Sequence, residues 1–89
     1  MNTFHYTPHG VCSRGIDIEL DGERIVSVQF QGGCSGNTQG VAALVAGMTV
    51  TEAIRRLSGI RCGMRPTSCP DQLSKALAAA LVKEKQQTV

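Results

Sequence analysis

Residues 16–30, IDIELDGERIVSVQF, decide the fold of this chain. Ile16, Ile18 and Leu20 alternate with Asp17 and Glu19. Val26, Val28 and Phe30 then alternate with Ser27 and Gln29. A period of two with one apolar side is the pattern of a strand with one buried face. Between the two runs, Asp21-Gly22 is a tight-turn signal, so the stretch reads as a β-hairpin. Residues 3–7 repeat the pattern upstream, with Phe4 and Tyr6 on one face and Thr3, His5 and Thr7 on the other. Pro8 ends that strand, and residues 9–12 form a loop.

Downstream the period changes. Residues 32–36, GGCSG, punctuate the chain, and Ser35 can cap a helix that starts there. Val41, Leu44 and Val45 have helical spacing, and Gly47 stops that helix. Thr49 or Thr51 caps a second, short helix with Ala53, Ile54 and Leu57 as its apolar stripe, closed by Gly59. A loop covers residues 60–68. Cys69-Pro70-Asp71 then opens a last helix, with Cys69 at the cap, Pro70 at the first helical position and Asp71 complementing the positive end of the helix dipole. Leu73, Leu77, Ala80 and Leu81 face inward, and Lys75, Lys83 and Lys85 face outward. Strands first and helices last is an α+β order: a small antiparallel three-stranded sheet followed by about three helices packed on one face.

The 89 residues make one domain, spanning 1–89. Its core is small and aliphatic, since Phe4, Tyr6 and Phe30 are its only aromatics. Domains of this size gain much from a staple. The opening residues show neither the basic nor the apolar region of a secretory signal. The longest apolar run, residues 41–46, falls far short of the roughly 20 residues that span a bilayer. A cytoplasmic protein without a membrane segment is expected. The net charge of +2 counts thiols as neutral; four thiolates and one divalent metal would bring it to zero. That balance, with no basic stripe interleaved with aromatics, argues against nucleic-acid binding.

Four cysteines, Cys12, Cys34, Cys62 and Cys69, each lie in or beside a predicted turn or helix start. In a reducing compartment they favour a metal or redox site over a disulfide frame. Cys34 and Cys69 meet free backbone N–H groups at helix starts, which stabilise anionic sulfur. Four thiolates suit tetrahedral zinc in a closed structural site. The spacing does not demand it, because no C-x2-C pair occurs, and buried cysteines also serve as small apolar residues. A redox relay is the rival chemistry, with Cys69 as the reactive thiolate and Cys62 as its resolving partner. An iron–sulfur cluster is the alternative cofactor.

Other residues carry weaker signals. His9, three residues before Cys12, is a candidate metal ligand or a solvated loop residue. His5 reads as a strand-surface residue. The glycine-rich stretch at residues 32–40 precedes a helix but lacks the Lys-Ser/Thr of a P-loop, which argues against nucleotide binding. Arg55, Arg56, Arg61 and Arg65 cluster around Cys62, either as a solvated face or as a docking patch for an acidic protein partner. No Ser-His-Asp arrangement or carboxylate pair is readable, so no catalytic residue is assigned.

Thr67-Ser68-Cys69-Pro70-Asp71 reads TSCPD, and residues 32–40 read GGCSGNTQG. Together they resemble the TSCPD domain family, in particular its small four-cysteine stand-alone members, over nearly the whole chain. Related domains form the C-terminal part of some adenosylcobalamin-dependent ribonucleotide reductases. The resemblance therefore implies a ribonucleoside-diphosphate reductase association, as an accessory domain, since the chain is too short for the catalytic barrel. A more distant similarity is to the IscU/NifU-N iron–sulfur scaffolds, implying that fold with Cys12, Cys34 and Cys69 at the scaffold cysteines. Arg14 stands where the scaffold has Asp, Ser68 where it has His, and Cys62 is an added thiol. Those departures point to a closed, stable site rather than a labile transfer site. The combined expectation is a metal-binding accessory domain, with zinc held by Cys12, Cys34, Cys62 and Cys69.

Overall fold

The computed structural model of the chain describes residues 2–8, 10–11, 13–32, 35–61, 63–64 and 67–87, without the side chains of residues 35, 37, 86 and 87. The three alternating segments form β1 (Asn2–Tyr6), β2 (Ser13–Asp21) and β3 (Arg24–Gly32). They make one antiparallel sheet in the order β1-β2-β3, with Phe4 opposite Ile18 and Ile18 opposite Val28. Asp21 pairs with Arg24, so Gly22 and Glu23 are the two central residues of the hairpin turn. Gly22 has φ +62° and Glu23 does not enter positive φ, the pattern of a turn with glycine at its first central position.

The β3 alternation differs from the sequence reading at one residue. Glu19 faces Ser27 but Leu20 faces Ile25, so Val26 is an extra residue, a bulge. The bulge turns Val26 outward, to 39% exposure, and brings Ile25 into the core in its place.

Three helices follow: α1 (Ser35–Val45), α2 (Val50–Leu57) and α3 (Cys69–Gln87). The α+β arrangement is thus a three-stranded antiparallel sheet followed by three helices. Ile16, Ile18, Leu20, Ile25 and Val28 from one sheet face meet Val45, Val50, Ala53, Leu73, Ala76, Leu77 and Ala80 from the helices. The stripe expected on α3 is the buried one, with Leu81 half-buried at its margin. The stripe expected on α1 is only partly so: Val45 is buried, but Leu44 is 73% exposed. The other sheet face is polar; His5 Nδ1 and Gln31 Nε2 meet the two carboxylate oxygens of Asp17 at 2.7 and 2.6 Å.

Backbone bonds tie the helices to the sheet edge. Ile25 N–H donates to Met48 O, Gly47 N–H to Ile25 O and Val50 N–H to Glu23 O, at 2.7–2.8 Å. The segment between α1 and α2 therefore covers part of the exposed edge of β3. Thr49, one of the two expected caps, accepts from Glu52 N–H at 3.3 Å and starts α2.

Candidate functional site

The TSCPD stretch is a capped helix start with a carboxylate clamp. Ser68 O accepts the first helical bond, from Gln72 N–H at 2.8 Å, and Ser68 Oγ accepts from Asp71 N–H at 3.1 Å. Ser68 is therefore the cap, Cys69 the first helical residue and Pro70 the second. The sequence reading, with Cys69 at the cap, is shifted by one residue. A hydroxyl oxygen accepts an N–H far better than a thiol does, so the cap falls on Ser68. Pro70 still costs nothing, because every N–H in the first turn lacks a helical partner. The same Ser68 hydroxyl donates to Ile60 O at 2.6 Å, fastening the loop that leaves α2.

Asp71 is 6% exposed, and both its oxygens are occupied. Oδ1 accepts from Gly59 N–H at 2.8 Å, and Oδ2 accepts from the Thr67 hydroxyl. Gln72 Nε2 in turn donates to Thr67 Oγ1 at 3.1 Å. The Thr67 bond, then the Gly59 N–H and the Lys75 ammonium at 3.8 Å, hold the Asp71 carboxyl below its ordinary pKa against the opposing effect of burial. Its role is larger than the dipole complement expected from sequence. The Ser68-x-x-Asp71 spacing, a capping-box pattern, signals the capped helix start but not the bond to Gly59.

Cys69 is a free thiol, 7% exposed, with Sγ 3.4 Å from Ser13 Oγ. Ser13 begins β2 and is bonded in the chain to Cys12. It also lies opposite Gly32 of β3, two residues before Cys34. Gly10, two residues before Cys12, packs so closely that a Cβ there would lie 3.1 Å from Thr67 Cγ2. Ile60, held by Ser68, is two residues before Cys62. Of the four expected ligands, Cys69 is placed at this end of the molecule; Cys12, Cys34 and Cys62 lie outside the described residues, as do His9 and Arg65. Among the described residues no three metal-binding side chains gather.

Of the arginine patch, Arg55, Arg56 and Arg61 are exposed on α2 and just beyond it. Arg55 grips Glu52 with two bonds, at 2.7 and 2.9 Å, and Arg56 reaches the same carboxylate at 3.4 Å. The Arg55 bond, above all, pulls the Glu52 carboxyl below its ordinary pKa and raises that of the guanidinium.

Among the described residues no helix is long and apolar enough to cross a membrane. A family model described as the TSCPD domain matches residues 2–81. No curated protein and no solved structure matches the chain.

Proposed function

The chain belongs to the TSCPD domain family, and on that premise we propose that it is a small metal-binding accessory domain with zinc held by Cys12, Cys34, Cys62 and Cys69. One observation carries this reading. The described chain neighbours of all four cysteines meet at one end of the sheet: Ser13 against Cys69, Gly32 opposite Ser13, Gly10 against Thr67, and Ile60 bonded to Ser68. Each of the other three cysteines is one or two residues from such a neighbour, and each residue of chain reaches about 3.8 Å.

Four thiolates would close a tetrahedral zinc site, whose binding energy becomes folding energy for a small aliphatic core. The starts of α1 and α3 offset part of the thiolate charge, and the Ser13 hydroxyl is placed to donate to Cys69 Sγ. The burial of Cys69 favours this reading over a redox relay, whose attacking thiol must be reached from solvent.

Elemental analysis of untagged protein tests the proposal, with about one zinc per chain expected. Serine at any one of the four positions should lower both metal content and melting temperature. Full metal retention in Cys62→Ser would remove that residue from the ligand set. A brown protein on anaerobic purification would replace zinc by an iron–sulfur cluster. Fast thiol labelling with a reversible Cys62–Cys69 disulfide would replace the metal site by the relay. The family resemblance makes cytoplasmic ribonucleotide reduction the process to test, with this domain as an accessory rather than a catalyst: it should co-purify with, or alter the turnover of, a ribonucleotide reductase from the same cell.

A further inference from the structure

Leu44 is expected in the core by its spacing, yet it is 73% exposed. It stands on one wall of an open groove between α1 and α2, with Val41, Val45, Met48, Ala53 and Leu57 as the remaining apolar lining and Arg56 at the lip. The groove holds about 210 Å³. That is below the roughly 300–1,000 Å³ of cofactor and small-ligand pockets. A cavity of about 150 Å³ takes a benzene ring, so the groove suits one or two apolar side chains.

The charge around it is one-sided. α1, SGNTQGVAALV, carries no charged residue. α2 has a single acid, Glu52, already gripped by Arg55 and shared by Arg56. With Arg55 and Arg56 against that one acid, α2 carries one net positive charge. We infer that this groove docks an acidic amphipathic segment of another protein, one apolar side chain entering between Leu44 and Leu57 while a carboxylate meets Arg56.

Charge complementarity separates this occupant from its rivals. In a symmetric contact between two copies the patch faces its own net positive charge, which opposes the contact. Nucleic acid would satisfy the arginines, but the groove offers aliphatic walls and no aromatic ring on which a base stacks. The inference stands independently of the metal reading, because its argument uses the apolar lining and Arg56 and none of the expected ligands.

The test uses the full chain and two peptides of about four helical turns. Both carry leucines at i, i+4 and i+7; one has glutamates at the remaining positions, the other lysines. Methyl-resolved NMR should place the acidic peptide on Leu44, Val41 and Met48, with the basic peptide bound about tenfold more weakly. Arg56→Glu should weaken the acidic peptide about tenfold and favour the basic one. Raising salt from about 0.05 to about 0.5 M should weaken the acidic complex severalfold. Leu44→Glu, at an exposed position that folding does not need, should abolish binding. Equal binding of the two peptides, binding of neither, or shifts away from the groove would overturn the inference. So would self-association of the free protein that disappears in Leu44→Glu, which would assign the groove to a second copy.

Discussion

Each end of α3 is closed by a buried carboxylate that reaches out to loop backbone. At the N-terminal end Asp71 takes Gly59 N–H and the Thr67 hydroxyl. At the C-terminal end Glu84, 3% exposed, takes Gly22 N–H at 2.9 Å and Asn2 Nδ2. The device is the same, but the setting is opposite. Asp71 sits where the helix dipole favours an anion, while Glu84 sits in the last turn, where it does not. Asp71 holds the loops that lead to the cysteines; Glu84 holds the hairpin turn and the start of β1 against the helix. The difference teaches that the same device serves two tasks: at one end of α3 it ties the loop after α2 to the helix start, and at the other it ties the sheet to the helix.

Substitutions at the two ends sharpen the contrast. The largest effect should come from Asp71→Ala, which leaves the buried Thr67 hydroxyl without its acceptor and unties the exposed Gly59 from the helix start. It should cost about 3 kcal/mol in urea unfolding and lower metal content as well. Glu84→Ala should cost less, about 2 kcal/mol, because the adverse dipole contact is lost along with the hydrogen bonds. Its metal content per folded chain should match the wild type; a loss equal to that of Asp71→Ala would break the comparison. Ser68→Ala removes the cap and the tether to Ile60, for about 1 kcal/mol.

The smallest effect is a titration. The Asp71 carboxyl is depressed in the folded chain, so its contribution is complete well above its unfolded pKa of about 3.9. It fades as pH falls through that value towards the folded pKa. Metal-free protein should show this acid sensitivity in its melting temperature, and Asp71→Asn should show less of it across the same window. Identical acid profiles for the two proteins would mean that Asp71 is not held as a carboxylate.

The hairpin was readable because period two admits one buried face. The inner residues Ile16, Ile18, Leu20 and Val28 lie where alternation puts them. Val26 was not readable, because a bulge inserts one residue without changing composition. Leu44 misled for a related reason: helical spacing gives a stripe but not the direction in which tertiary packing turns it. At the candidate site, Cys69 at a helix start was legible from Cys-Pro-Asp. The clamp of Asp71 on Gly59, twelve residues away, was not.

What the amino-acid order by itself determined is the succession of strands and helices, the place of the turns and the start of α3 near Cys69. These depend on local periodicity and on capping chemistry, both written within a few neighbouring residues. Only the tertiary structure decided that Ser13 meets Cys69, that Ser68 reaches Ile60, and that a groove lined by Leu44 stays open beside Arg56. Those contacts depend on how the helices seat on a twisted, bulged sheet. Many helix placements bury the same apolar stripes, and the specific backbone bonds to the sheet edge and the carboxylate clamps select among them.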